Sequence, residues 1–505
     1  MAINQIKAGV ILNYIIIGLH ILTGLLYTPY MLRCLGQNEY GLYSLVASVI
    51  SYLTLLDFGF GSAIVRYSAK IRATGTRSDE WSLYGMLLSG YAFIGIFVTI
   101  GGLILYANVD QMFDRTMTAR ELCRARVMMA FMVGNLAVTF PLSVFGSIIS
   151  AYEKFVFQRI TTIVRILFST AVLVAVLSMG YKAIALVVVQ TIFSIITLLI
   201  NVIYCRIKLG VKLKFNNFNF LLLKEIMIFS WWNFLGAIVD RIYWSTGQFI
   251  LGIYCGSAAV AIYSVAIMLM NLYMSMSTSL NSVLLPKITI MVTKKNDSEI
   301  SNLFIRTGRL QFCVLALILS GFAVFGRIFI NLWAGKEYEQ SFIIALLFYL
   351  VLLGPLIQNV GLTILLARGQ IQFRSLTYLA ISVLCLIAQI LLAKPYGIIG
   401  CAMATVGSLF IGQWIVMNVY YKKKQCIAIG EFWKQIGQMA IMPIALSIVG
   451  IFAIQYIHII SWLHFIIYVI LYMLIYLPFF FVFSMGKYER TQFRALLIKL
   501  GIKSA

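Results

Sequence analysis

The chain has 505 residues, of which 62% are hydrophobic and only 11% charged, and its mean hydropathy is +0.96. A soluble domain carries roughly 25% charged residues, so this composition excludes a water-soluble globular protein. The 39 Lys and Arg against 16 Asp and Glu, a net charge of +23, would point to nucleic acid only if a soluble domain existed to carry it; in a membrane protein such cations gather in cytoplasmic loops.

A membrane-crossing helix needs about 20 apolar residues. In chain order the sequence offers about fourteen such runs, at roughly 10–32, 43–66, 84–106, 126–151, 160–178, 183–204, 226–253, 259–285, 310–332, 341–366, 375–393, 398–420, 436–456 and 463–484. The first follows Lys7, is too long for a signal-peptide core and is not followed by a convincing small-residue cleavage site, so it reads as a retained helix. β-Barrel strands would be shorter and alternating. The expected class is an all-α integral membrane protein.

The cations alternate. Lys70, Arg72 and Arg77 follow the second run, Lys154 and Arg159 the fourth, Arg206, Lys208, Lys212, Lys214 and Lys224 the sixth. The pattern continues with Lys287, Lys294, Lys295, Arg306 and Arg309, then Arg368 and Arg374, then Lys422, Lys423, Lys424 and Lys434, and ends on Lys487, Arg490, Arg494, Lys499 and Lys503. The intervening loops are short, neutral or mixed; the noisy one sets Asp110, Asp114 and Glu121 against Arg115, Arg120 and Arg124. An even number of crossings with both termini cytoplasmic fits this pattern, and the cations serve as topology signals and as contacts for anionic lipid.

The sequence also repeats itself. GQNEYGLYS (36–44) is matched by GSAAVAIYS (256–264), Pro141 by Pro355 at nearly the same offset, GYKAIAL (180–186) by PYGIIGC (395–401), and NVIY (201–204) by NVYY (418–421). Copies six crossings apart share one topology, a common transporter plan with substrate held between halves. The expected organisation is a six-helix bundle over 1–205, a basic cytoplasmic linker over 206–225, a second six-helix bundle over 226–421, and helices 13 and 14 with a basic tail over 422–505.

Polar groups inside these runs are the candidate functional residues. Asp57 stands in LLDFGFGSAIVRYSAK (55–70). Two readings are open: a packing residue beside Gly59 and Gly61, which let helices approach closely, or a cavity-facing carboxylate that balances an arginine or exchanges a proton. Arg66 closes that run and Arg165 lies some six residues into the fifth; both can snorkel to headgroups. Asp240 and Arg241 sit near the middle of the seventh run, and as helix neighbours they do not face each other. Groups at that depth face a bundle interior or an aqueous cavity, and Arg241 is the best single candidate for an anionic substrate. Asn271, Ser275, Ser277, Thr278, Ser279, Asn281 and Ser282 in the eighth run describe either a wet cavity wall or interhelical hydrogen bonding. Pro141 and Pro355 predict kinks, with Gln358 and Asn359 beside the second. Trp81, Trp231, Trp232, Trp333, Trp433 and Trp462 fall near run ends as an aromatic belt.

No catalytic constellation emerges. Eight scattered cysteines without CxxC or CxxH spacing, and His20, His458 and His464 far apart, offer no metal site or disulfide framework. There is no glycine-rich phosphate loop and no loop long enough for an ATP-binding domain. No metal and no cofactor are expected; an ion gradient, substrate removal or nothing at all drives transport.

The run LGQNEYGLYSLVASVISYLTLLDFGFGSAIVRYSAK (35–70) resembles the first helical hairpin of the Wzx-type O-antigen and capsule flippases. These belong to the multidrug/oligosaccharidyl-lipid/polysaccharide (MOP) flippase superfamily. Their pattern is a G-x-x-x-[YF]-G turn, a span, then L-D-[LF]-G-[LF]-G and a basic residue; Gly36, Tyr40, Gly41, Asp57, Gly59, Gly61 and Arg66 match it. The resemblance implies a MATE-like fold of two pseudo-symmetric six-helix bundles plus a C-terminal helix pair, in the bacterial cytoplasmic (inner) membrane. It implies movement of an undecaprenyl-diphosphate-linked oligosaccharide to the periplasmic leaflet by alternating access. The partners implied are that lipid-linked oligosaccharide, membrane lipids and polysaccharide polymerase machinery, with no nucleic acid and with a monomer sufficing. Arg241, Arg66 and Arg165 would offset the desolvation of the diphosphate, an assignment resting on depth and charge. A multidrug or cation antiporter of the MATE type, a lipid II flippase and a membrane polysaccharide polymerase are the alternatives. The antiporter would rely on buried carboxylates, for which only Asp57 and Asp240 qualify; the polymerase would need a sizeable outer loop.

Overall fold

The computed structural model describes residues 5–215, 220–278, 281–294, 296–457, 459–486 and 488–493, and these are helical with no strand among them. The chain forms two compact units, Met1–Ala261 and Ile262–Ala505. The first holds α1 (Gln5–Leu35), α2 (Gln37–Leu53), α3 (Phe60–Thr74), α4 (Arg77–Phe113), α5 (Ala119–Ala151), α6 (Phe155–Ser178), α7 (Ala183–Ile207), α8 (Phe220–Trp244), α9 (Thr246–Cys255) and the start of α10 (Ser257–Thr278). After the rest of α10 the second holds α11 (Asn281–Thr293), α12 (Asp297–Trp333), α13 (Ser341–Ile357), α14 (Val360–Ala367), α15 (Ile371–Leu409), α16 (Met417–Lys424), α17 (Ile429–Ile454) and α18 (Trp462–Phe479).

Lipid as solvent explains the surface. On α4, Phe93, Ile96, Phe97, Ile100, Leu103 and Ile104 are all exposed, and their three- and four-residue spacing puts them on one face. The opposite face buries Tyr84, Leu87, Tyr91, Gly95, Val98 and Gly102. A Cβ on Gly102 would lie 2.4 Å from Val133 of α5, the small-residue contact by which membrane helices approach. At 37 residues α4 is about 55 Å long, so its ends leave the roughly 30 Å hydrocarbon layer. Those ends are polar, and capping boxes Thr76–Asp79 and Thr118–Glu121 open α4 and α5, satisfying orphan backbone N–H groups.

Eleven described helices are long and apolar enough to cross a membrane, or twelve if the bent pair α13–α14 is one crossing. The expectation of fourteen is not reached, for two reasons. The expected runs 375–393 and 398–420 fall in one 53-residue helical stretch, Gln372–Lys424, which Gly397 breaks with non-helical angles of φ 55° and ψ −132°. The expected run 226–253 is interrupted between Trp244 and Thr246.

The repeat has a structural counterpart. Gly36 (φ 74°, ψ 168°) and Gly256 (φ 84°, ψ −179°) share one conformation, open to glycine but hostile to L side chains, and each starts a helix. The paired prolines behave differently. Pro355 precedes the 41° bend between α13 and α14, whereas α5 runs unbroken through Pro141, held along α4 where Gly95 lies against Ala137 and Pro141. The expected kink at Pro141 does not break the helix.

One end of the first unit is fixed by a buried carboxylate that the sequence did not single out. Glu80, 3% exposed, accepts from Tyr84 (2.6 Å), Tyr152 (3.2 Å) and Ser68 (3.3 Å), with Arg72 at 3.9 Å. Arg72 also donates to the Ala151 carbonyl at 2.9 Å and lies over the Tyr152 ring. The basic stretch after α7 is docked here too: Lys214 N–H donates to Trp81 O, and a Cβ on Gly85 would lie 2.0 Å from Lys214 O. Glu80→Ala strands buried hydroxyls, at about 1–3 kcal/mol. We expect a lower melting temperature for the detergent-purified protein; an unchanged one would contradict this account of the network.

In the second unit, Ser320 of α12 hydrogen-bonds Ser447 of α17 and Tyr472 of α18. Arg309 of α12 pairs with Glu489 at 2.7 Å and donates to Gln435 of α17. The last two long helices are thus tied to α12. Trp333 is buried and Trp433 donates to Asn418. Ser279, His458, Lys295, Lys487, Arg494, Lys499 and Lys503 lie outside the described residues, as do the side chains of Thr278, Asn281, Ser282, Lys287 and Trp232.

Candidate functional site: two broken helices that meet at Asp57 and Arg241

The run carrying Asp57 is not one helix. Along α2, Ser48, Ser51 and Thr54 each turn their hydroxyl back to the carbonyl three residues earlier, at 2.6–2.7 Å, a competition that loosens helices. The chain then tightens into a 3-10 turn over Thr54–Asp57. Phe58 (φ 49°) and Gly59 (φ 70°) both adopt left-handed angles, and α3 starts at Phe60. For phenylalanine that conformation costs about 1–2 kcal/mol. Its ring stacks on Phe234 of α8 at 4.6 Å between centroids. Gly59 thus serves the turn through its left-handed conformation. Gly61 does face a close neighbour: a Cβ there would lie 3.2 Å from Ser147 Oγ.

Asp57 ends the turn half-buried. Its carboxylate accepts from Tyr91 OH at 2.8 Å, and Tyr91, 1% exposed, is wedged between Phe60 and Phe140. At the other end of the turn Thr54 Oγ1 accepts from Arg241 Nη2 at 3.0 Å. Arg241 is half-buried near the C-terminus of α8, just before the Ser245 break, and among the described residues it makes no ion pair. Across that break Thr246 hydrogen-bonds Tyr52 and donates to Arg241 O; Tyr52 also meets Phe249 edge to face. The two runs are thus stitched together where α2 gives way to α3; at Ser245 the α8–α9 run is interrupted for one residue only and keeps the bonds Ser245 N–H to Arg241 O (2.9 Å) and Phe249 N–H to Ser245 O (3.4 Å). Irregular backbone at membrane depth is tolerated only inside protein or beside water, and discontinuous helices are where transporters place substrate and ion sites.

The other candidates fall elsewhere. Asp240 is exposed while Arg241 turns inward, as adjacent helix positions must diverge. Arg66 does not close its helix: α3 continues to Thr74, and Arg66 is exposed with its guanidinium 5.9 Å from the Tyr67 ring centre. Arg165 is exposed on α6 between Val164 and Leu167, themselves exposed, on a helix packed chiefly against α1 and α7. Ser275, in the second unit, donates to Leu272 O. Its neighbour Ser277 donates to Leu356 O and accepts from Gln311, the interhelical bonding that was one of the two readings. Gln358 is buried and donates to Asn418. Sequence reasoning missed Thr54, Tyr91 and Thr246. The S-x-x-S-x-x-T spacing before LLDFG was the available sign of a loosened helix end.

Comparison with known proteins supplies the family. The sequence profile described as polysaccharide biosynthesis protein matches residues 6–292, more than half of the chain. This chain belongs to the polysaccharide biosynthesis protein family. No individually curated protein matches it. Among solved structures this family member is similar to the lipid II flippase MurJ in an inward closed conformation, with a TM-score of 0.72 at 16% identity over 96% of this chain and 99% of that one. It is similar to an inward-facing multidrug-resistance MATE transporter of the MOP superfamily, TM-score 0.61 at 12% identity over 77% and 93%. A third is a MOP-superfamily transporter from Pyrococcus furiosus, described as having reversed polarity in its binding pocket, TM-score 0.51 at 12% identity over 83% and 96%. At these identities the likeness establishes the fold: the polysaccharide biosynthesis protein is a multi-pass, all-helical membrane protein with the architecture of MOP-superfamily transporters.

Proposed function

We propose that the protein flips an undecaprenyl-diphosphate-linked oligosaccharide, a repeat unit of O-antigen, capsule or exopolysaccharide, across the bacterial cytoplasmic membrane by alternating access. Both termini lie in the cytoplasm, the bundles 1–205 and 226–421 are the moving halves, and 422–505 is an appended pair with a basic tail. The protein works as a transporter, not an enzyme, and a monomer suffices.

The observation that carries this reading is Arg241, held at the junction of two broken helices by Thr54 with no carboxylate paired to it among the described residues. A diphosphate brings negative charge that hydrocarbon cannot solvate, and a guanidinium offers it two parallel charge-assisted hydrogen bonds. Arg66, exposed one and a half turns into α3, is the cation we place on the approach from the cytoplasm. The sugar travels through an aqueous space while the lipid tail stays among the outer apolar faces. A MATE-type antiporter would use Asp57 to exchange a proton or bind a cation; here that carboxylate accepts a hydrogen bond from a buried tyrosine, which suits a structural clamp on the turn.

Deleting the gene in its native host tests the proposal. The expected result is loss of surface polysaccharide with complete lipid-linked oligosaccharide trapped on the cytoplasmic face. Normal polysaccharide with new sensitivity to cationic drugs would contradict it in favour of the antiporter.

A further inference from the structure

At the end of the first unit where α1 turns into α2 and α6 into α7, the chain forms an open cavity of about 550 Å³. Such a volume lies within the roughly 300–1,000 Å³ of small-ligand sites. Glu39, Arg124, Tyr181 and Lys182 line it, with Ile184 and Val188 behind them. None of these residues entered the transport site described above.

Their arrangement is chemically specific. The Glu39 side chain is only 9% exposed and its Oε1 pairs with Arg124. Its other oxygen, Oε2, is buried without a hydrogen-bond partner, an acceptor whose desolvation is uncompensated. Lys182 is exposed, and its ammonium makes no ion pair among the described residues. Tyr181 is 61% exposed and follows Gly180, whose φ of +86° makes the tight turn that sets the ring at the rim. One site therefore offers cations for an anionic group, and an aromatic face with an apolar wall for a ring's C–H face.

We propose that this cavity is a saccharide subsite for a pyranose bearing an acidic substituent. The acidic group meets Lys182 and Arg124, and the ring's apolar face lies on Tyr181. The inference rests on the flippase reading for the source of the sugar, and on its orientation for placing the subsite at the periplasmic, releasing end.

The test uses the full-length protein purified in detergent, with methyl glucuronoside and neutral methyl glucoside as probes in saturation-transfer NMR. Wild type is expected to bind the glucuronoside more tightly than the glucoside. Lys182→Ala should weaken the glucuronoside at least tenfold and leave the glucoside unchanged, and Tyr181→Ala should weaken both at least fivefold. Both substitutions are at exposed positions. No saturation transfer in wild type, or equal binding in the variants, overturns the subsite. So does displacement of the glucuronoside by short-chain phosphatidylethanolamine but not by phosphatidylglycerol, which would assign the cavity to a zwitterionic lipid headgroup. Transport in vesicles is scored separately: a chain that flips lipid-linked oligosaccharide but binds neither glycoside retains the flippase reading and loses the subsite.

Discussion

Arg241→Ala is expected to abolish most transport, lowering the rate of lipid-linked oligosaccharide flipping about 10- to 150-fold. The magnitude follows from the loss of a charge-assisted interaction worth about 1.5–3 kcal/mol, at 1.4 kcal/mol per factor of ten. Arg241→Lys keeps the charge but loses the planar fork that fits a phosphate and donates to Thr54, so it should recover only part of the rate. Thr54→Ala frees the guanidinium while leaving it in place and should have a smaller effect. Arg165→Ala, on an exposed face of α6, is the control and should flip normally. Flipping is measured as the appearance of labelled oligosaccharide on the opposite leaflet at matched protein levels. An Arg241→Ala variant with the wild-type rate would remove Arg241 from the site.

The second large effect is expected at Gly41. A Cβ there would sit 1.8 Å from Ser257 O and 3.2 Å from Ala261 N, distances that no rotamer change relieves because the clashing atoms are backbone. Gly41 is within α2 and its value is close approach, not unusual angles. Around it Glu121 accepts from Ser257 Oγ and Thr116 donates to Gly252 O, so the start of α10 is seated on α2 and α5, and α9 on the connection between α4 and α5. Gly41→Val must part α2 from α10. We expect transport to fall to background while the protein still inserts, and alkylation of Cys255, half-buried beside Gly256, to accelerate. Peptide-resolved mass spectrometry reads the alkylation. Unchanged Cys255 reactivity with full transport would show that the seam is not required.

What could be read from the sequence divides along physical lines. Lipid-facing helices declare themselves by composition, and the all-helical class follows from the length of the apolar runs. Gly36 and Gly256 were legible as a repeat, and their shared backbone angles supply its cause. Arg241 was singled out by its place in the middle of an apolar run, because a charge there needs a reason. The break at Asp57 was not: apolar content is the same whether a span is straight or interrupted, and only the hydroxyl ladder Ser48, Ser51, Thr54 hinted at it. Tyr91 and Glu80 were hidden because their roles are long-range, set by which helices pack together. Pro141 leaves α5 continuous, packed on α4 at Gly95, whereas Pro355 precedes a bend.

The central claim is tested most directly with purified protein in liposomes carrying labelled undecaprenyl-diphosphate-linked oligosaccharide in both leaflets. After the outer leaflet's sugar is removed with a membrane-impermeant glycosidase, the protein should deliver protected oligosaccharide to the outer face, and Arg241→Ala should not. Protected oligosaccharide that stays protected with wild-type protein, in vesicles that extrude a cationic dye against a proton gradient, would contradict the account.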